Sequence, residues 1–513
     1  MRNSMKIPTL VKSIGLVTII SGLGKILGFA RESIIAAYFG TSEVADVFFV
    51  SSLVPTLLFT AIGTAIQAGT IPLFMEERSK NERDARKLMS LLGTFFLILS
   101  LLFIGVTMLF TQPLIKVMAP GFSPDQVELA VKITRIMIPS MVFLTLTSIS
   151  TGVLNANKQF VLPAFSATIQ NVVIILATIL LANTYGVYGL SIGVLIGAAG
   201  QFFIQYPSFK KSEIGFNFHF REHKEKIFNI MILFYPIIIA AISVQLNSLV
   251  DRMVSTGLET GSVSALNYGN RLLWLPLSVI LTPLITVLYP SLVEGVLDSY
   301  KKFFGIIQKG TSLILFASIP FTLLMVLIGD NLIEIAFQRG SFDKEATSIT
   351  NQALFYYALG LVFFALRDFL MNGFYALKRT KVAMYSCLGA VLVNIVLSIT
   401  LSKFMAVGGI ALASSISMLM QCLVLFLYLL KNYEDKNSYT KEFSKEAGKL
   451  TIVTIGVLIL VIPVMNLIPG DLNVILETIA VSLLIFGGYL ALSIVFKVNA
   501  IQPLARKIIV KRS

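Results

Sequence analysis

Apolar segments long enough to cross a bilayer recur along almost the whole chain, and no other feature constrains its fold as much. A spanning helix needs about 20 mostly apolar residues. A window of that length finds about fourteen segments. They lie near 9–38, 44–73, 88–112, 126–153, 160–183, 186–208, 227–250, 266–291, 305–328, 348–374, 382–402, 407–430, 450–468 and 474–496. The expected class is therefore an all-α polytopic membrane protein. Charged residues make up 13% of the chain, against about 25% in soluble domains. An ordinary cytosolic enzyme and a disordered chain are both excluded. The first, second, fourth and eighth segments are longer than a crossing needs and contain Gly or Pro. Tilts or kinks are expected there. Residues 1–21 lack a small-x-small cleavage site, so the first segment reads as a retained helix and not a removed signal peptide.

Charge location sets the topology. Loops on the side of the N-terminus carry Arg78, Lys80, Arg83, Arg86, Lys87, Lys210, Lys211, Arg221 and a basic tail from Lys497. The opposite loops hold Lys116, Arg252, Arg339, Lys344 and Lys403. The positive-inside rule puts both termini in the cytoplasm of a bacterial-type plasma membrane, which requires an even helix count. The net charge of +14 is then mostly a topology signal, and no nucleic-acid partner is expected.

The chain also repeats itself at an offset of 220 to 221 residues. GVLNANKQFV from Gly152 matches GFYALKRTKV from Gly373, GLSIG from Gly189 matches GIALA from Gly409, and Gln201 matches Gln421. Each unit covers six helices and starts on the same side. The repeat is therefore parallel, with a pseudo-twofold axis along the membrane normal, an arrangement transporters use for alternating access. The expected organisation is a six-helix lobe over 1–211, a linker at 212–226 and a second six-helix lobe over 227–431. A linker at 432–449, two appended helices within 450–497 and a basic tail at 498–513 follow.

A cation at the centre of a spanning helix costs about 2.5–3.5 kcal/mol and normally faces a wet cavity or a buried partner. Helix 1 carries Lys25, Gly28 and Arg31 at a spacing of three, hence on one face. Gly22, Gly24 and Gly28 are expected to let that helix bend or unwind. Arg271 occupies helix 8. Cations from both halves suit an anionic substrate, since Arg grips phosphate oxygens bidentately. The structural alternative is pairing with Glu32, Asp46, Asp251 or Asp368. Arg31 and Glu32 are adjacent, as are Arg367 and Asp368, and neighbours do not face each other on a helix. Lys132, Arg135 and Arg367 read as structural.

Gln245, Asn247 and Asp251, with Asn394 and Ser398 on one face of helix 11, form oxygen-rich sets that either hold Na⁺ or relay protons, or simply hydrogen-bond between helices. HFREH at 219–223 fits a zinc-protease pattern, but it lies in a short basic loop without a third ligand. No Walker A pattern appears, and neither Cys387 nor Cys422 has zinc or disulfide spacing. No enzymatic activity and no resident cofactor are expected.

KILGFARESIIAAYFGTSEVADVFFV from Lys25, APGF from Ala119, LPAFSATIQNVVII from Leu162, GSVSALNYGNRLLWLP from Gly261 and GFYALKRTKVAMYSCLGAVLVNIVLS from Gly373 resemble the MurJ (MviN) family of lipid II flippases in the MOP exporter superfamily. The resemblance implies fourteen helices: two lobes around a cationic cavity, and a final pair forming a groove for a lipid tail. It implies substrate-binding roles for Lys25, Arg31, Asp46 and Arg271. Glu32 and Asp251 become gating or charge-pair residues, with Na⁺ at Asp251 and Asn394. Lys25 stands where many members have arginine. The expected function is translocation of a polyprenyl-diphosphate-linked peptidoglycan precursor, lipid II, to the outer leaflet, driven by Na⁺, H⁺ or the membrane potential. Its partners would be the lipid-linked glycan, membrane lipid and cell-wall synthesis proteins. The alternatives are export of another undecaprenyl-diphosphate-linked polysaccharide unit and, ranked below it, multidrug–cation antiport.

Overall fold

The computed structural model describes residues 7–215, 217–218, 245–431, 433, 436–467 and 473–501. Among these residues the secondary structure is helical throughout, with no strand. The HFREH motif and most of the segment near 227–250 lie outside the described residues, as do the first six residues and the tail from 502.

The chain divides into two compact units, Met1–Ser264 with Arg339–Phe342, and Ala265–Gln338 with Asp343–Ser513. In the first unit α1 (Ile7–Phe39), α2 (Glu43–Lys80), α3 (Glu82–Leu109) and α4 (Thr111–Met118) are followed by α5 (Pro124–Met137), α6 (Ser140–Ala156), α7 (Val161–Tyr185) and α8 (Val187–Lys210). Residues 245–255 are also helical. Polar caps set the starts: Ser42 accepts from the Ala45 N–H, and Asn81 accepts from the Arg83 N–H. Ser123 and Gln126 form a reciprocal capping box, which satisfies two N–H groups that the first turn leaves unpaired. Pro139 joins α5 to α6, and together they make one span over Pro124–Ala156. Residues 339–342 belong to this unit because the Ser341 N–H donates to Ala37 O at 2.8 Å.

The second unit continues α9 (Ser262–Pro276) through a π turn at Leu277–Leu281 into α10 (Thr282–Asp298). Pro276 and Pro283 lack the N–H groups a straight ladder needs, so the kink expected in segment 8 takes the form of a π turn. Then come α11 (Tyr300–Leu327), α12 (Gly329–Phe337), α13 (Lys344–Ala376), α14 (Thr380–Lys431), α15 (Lys436–Leu467) and α16 (Val474–Val495). α14 is two helices joined at Ala406, whose φ of 46° and ψ of −127° are not helical. Counting both, and adding the long α1 and α2, the described helices account for every expected crossing except the seventh.

The internal repeat is visible in the backbone. Gly186 and Ala406, 220 residues apart, share one unusual conformation, with φ of 55° and 46°. Lys158 and Lys378 share another, at 62° and 57°. Each lysine ends a helix with the same pair of bonds: Lys158 N to Asn155 O and Gln159 N to Leu154 O, then Lys378 N to Tyr375 O and Arg379 N to Phe374 O. This six-to-one closure is the Schellman C-cap.

The two appended helices are docked within the second unit. Val453, Val457 and Val461 on α15 and Val481, Ile485 and Tyr489 on α16 recur every fourth residue. They form one buried cluster with Leu323 of α11. Many large apolar side chains are exposed on the helices of both units, such as Leu102, Leu180, Leu483 and Ile459. Outward apolar surface on spanning helices is what lipid solvates.

Candidate functional site

The first unit holds a polar cluster where α1 meets α7. Arg31 donates through one guanidinium nitrogen, Nη1, to Asn171 Oδ1 at 3.0 Å and through the other, Nη2, to Glu32 Oε1 at 2.6 Å. Asn171 Nδ2 returns a bond to Gly24 O at 3.2 Å. Glu32 is buried, Arg31 is half-buried, and Arg31 Nε is buried with no hydrogen-bond partner. A charge-assisted pair in this setting is strong, because neither group is fully hydrated.

Two expectations are corrected at this cluster. α1 runs unbroken from Ile7 to Phe39, so its glycines do not unwind it. Their use is close approach: a Cβ on Gly28 would lie 3.5 Å from Asn171 Nδ2, and one on Gly24 would lie 3.2 Å from Thr168 Oγ1. Small residues on a helix face let a neighbouring backbone come near, which is the usual packing rule in membranes. The second correction concerns adjacent charges. Arg31 pairs with Glu32, and Arg367 Nε lies 3.2 Å from Asp368 Oδ1. Neighbouring Cβ atoms diverge by about 100°, but the long arginine stem swings its guanidinium back across that angle.

Lys25, one turn before Gly28, is exposed. Asp46 lies buried in the first turn of α2, and both its oxygens are engaged. Oδ2 accepts from Gly261 N at 2.7 Å, and Oδ1 accepts from Ser264 N at 2.8 Å and from Ser264 Oγ at 2.7 Å. The carboxylate thus caps the start of α9 from another helix, where unpaired N–H groups and the positive dipole end both favour an anion. Asp251 lies half-buried in the helical stretch 245–255, and its neighbour Arg252 donates to Phe49 O.

In the second unit Arg271 is exposed on α9, five residues before Pro276. A cation open to hydrocarbon would be costly, so a partner or water must meet it there. Asn394 is buried and donates through Nδ2 to Ser414 Oγ at 3.1 Å across the Ala406 hairpin, and Ser398 is fully buried. Among the described residues no group of three His, Cys, Asp or Glu could hold a metal ion.

The three cations read as structural are accounted for. Lys132 pairs with Glu128 at 2.6 Å, Arg135 donates to Met108 O at 3.3 Å, and Arg367 has Asp368. Two residues escape sequence reasoning: Asn171, which fixes Arg31, and Ser264, which receives Asp46. A signal for Asn171 exists, since it is one of the few amides inside the apolar run of α7. Ser264 carries none, because a serine in a first turn is common.

The family model described as lipid II flippase MurJ matches residues 35–480. A probable lipid II flippase MurJ of Buchnera aphidicola from Acyrthosiphon pisum is 32% identical over 419 residues, covering 79% of this chain and 80% of that protein. The lipid II flippase MurJ of Burkholderia cenocepacia is 28% identical over 449 residues, covering 84% and 86%. Among solved structures, a lipid II flippase MurJ in an inward closed conformation aligns with a TM-score of 0.80 at 28% identity, over 95% of this chain and all of that one. An inward-facing multidrug resistance MATE transporter of the MOP superfamily aligns with a TM-score of 0.68 at 13% identity, over 83% and 99%, a likeness of fold alone.

Proposed function

The chain belongs to the lipid II flippase MurJ family, and from that premise we propose that it carries lipid II from the inner to the outer leaflet by alternating access. The observation that carries this reading is Arg31: a guanidinium held inside a spanning helix, with two of its nitrogens pinned to Glu32 and Asn171 and its Nε unpartnered. Such a group is pre-oriented for an anion, and the diphosphate is the anionic part of a polyprenyl-linked precursor. Lys25 on the same helix and Arg271 in the second unit are the other cations assigned to the substrate, each within its own unit. Asp46 is assigned to holding the start of α9.

The distribution of Lys and Arg supports an orientation with both termini in the cytoplasm. The appended pair α15 and α16 guides the lipid tail. Coupling runs through Na⁺, H⁺ or the membrane potential, the last worth about 2.3 kcal/mol per charge per 100 mV.

The test is complementation. A bacterial host is depleted of its own lipid II flippase, this chain is expressed, and lipid II at the outer surface is measured. Restored surface lipid II and growth support the reading. No rescue, with normal amounts of the protein in the membrane, rejects lipid II as the substrate.

A further inference from the structure

The first unit contains a second polar feature, separate from the Arg31 cluster. A cavity of about 510 Å³ lies among α1, α2, α6, α7 and α8. Ligand pockets commonly span about 300–1,000 Å³. Hydroxyls and amides, namely Thr147, Ser148, Thr151, Asn155, Gln170 and Gln201, line it together with apolar groups such as Val17 and Leu144. Among the described residues none that lines it is charged. Two aromatic rings, Phe59 and Phe160, also line it.

One side of this wall is fixed. Gln205, fully buried, donates to Ser166 Oγ at 2.8 Å and to Thr151 Oγ1 at 3.2 Å, and Ser166 donates to Pro163 O at 2.7 Å. The other side is unfilled. Thr147 is 6% exposed and its hydroxyl has no partner, and Gln201 Oε1 is likewise buried and unpartnered. Each unpaired buried polar atom costs about 1–3 kcal/mol, and these two belong to residues that line the cavity.

The second unit shows that this polarity is not a by-product of the repeat. There Gln421 donates to Ser386 Oγ at 3.3 Å, as Gln205 does to Ser166. The associated pocket, about 520 Å³, is lined largely by apolar groups such as Tyr385, Ala390, Val393 and Val424, together with Lys381. Of these two pockets, among the described residues, the one in the first unit has the larger share of neutral hydroxyl and amide groups.

We propose that this cavity is a binding site for a neutral saccharide. An ion would be buried there without a counter-charge, which is costly. A sugar ring has apolar C–H faces for Phe59 and Phe160, and a rim of hydroxyls that both donate and accept, matching amides and hydroxyls that do the same. Its place in a transport cycle, as a seat for the glycan, rests on the flippase reading above.

The experiment uses the full chain in lipid nanodiscs and tritiated N,N′-diacetylchitobiose, a neutral disaccharide with neither phosphate nor lipid. Saturable binding is expected, and inorganic pyrophosphate should not compete. Gln201→Leu and Thr147→Val should each weaken binding about tenfold, the effect of one lost hydrogen bond. Thr147→Ser should keep it, and Ser386→Ala in the other unit should leave it unchanged. If Gln201→Leu does not fold, the two Thr147 variants decide. No saturation up to 50 mM, or binding that survives loss of the Thr147 hydroxyl, overturns the site and leaves a merely hydrated cavity. Sugar binding without lipid II transport would sink the flippase reading alone, and the reverse result would sink this one alone.

Discussion

Asn171 accepts from Arg31 at 3.0 Å with its oxygen and donates to Gly24 O at 3.2 Å with its nitrogen. One amide therefore ties the intramembrane guanidinium to the backbone of its own helix, seven residues earlier. The arrangement depends on α7 lying close to α1, which Gly24 and Gly28 permit.

If Asn171 acts by aiming Arg31, its loss should cost transport more than stability. Asn171→Ala should lower lipid II translocation about tenfold or more, since misplacing a binding group by about 1 Å can cost 10²-fold. Asn171→Asp should differ: it restores an acceptor but adds a charge that competes with substrate for Arg31. Outer-leaflet lipid II, measured at equal protein abundance, checks both. Unchanged transport in Asn171→Ala would remove the amide from the mechanism.

Arg31→Lys keeps the charge but not the planar fork that serves Glu32 and Asn171 together. It should retain little transport, and Arg31→Ala none, while both proteins still reach the membrane. The same assay reads the result. Full activity in Arg31→Lys would show that only a point charge is needed.

Asp46 makes a separable prediction, because its three bonds go to Gly261 and Ser264. Asp46→Ala leaves two backbone N–H groups without an acceptor, at about 1–3 kcal/mol, while the Ser264 hydroxyl still has Gly261 O at 3.0 Å. Asp46→Asn, which retains one acceptor oxygen, should cost less. Thermal unfolding in detergent gives the order wild type, Asp46→Asn, Asp46→Ala. If Asp46 acted only on substrate, the three melting temperatures would coincide.

The fold was legible wherever it rests on hydrophobic length and repetition. The spans, the repeat offset and the kink after Pro276 all follow from residue types that act locally. The site was legible only by its charges. Arg31 and Arg271 announce themselves by being expensive in a membrane. Their partners do not, because an asparagine such as Asn171 is also ordinary interhelical glue. The glycines of α1 were misread for a related reason: Gly lowers helix propensity in isolation, but here a neighbouring helix decides its use. The link of Asp46 to Ser264 spans 218 residues, and no local pattern encodes it.

The paired hairpins allow a prediction that needs no transport assay. Gly186 and Ala406 hold the same conformation at repeat-related positions, at φ of 55° with ψ of −136° and φ of 46° with ψ of −127°. Glycine enters that region freely, whereas a Cβ there clashes with the following peptide. Ala406→Gly should therefore relieve about 1–3 kcal/mol of backbone strain, less about 0.5–1 kcal/mol of added unfolded-state entropy. A small rise in melting temperature is expected. Gly186→Ala should do the opposite and lower it by a similarly small amount, because the added strain is partly offset by the unfolded-state entropy that glycine no longer contributes. The double variant, which exchanges the two residues between repeats, should fall between the singles. Positions so far apart in sequence and in different compact units should add. A melting temperature that falls in Ala406→Gly would mean that the alanine methyl makes a packing contact worth more than the strain it carries.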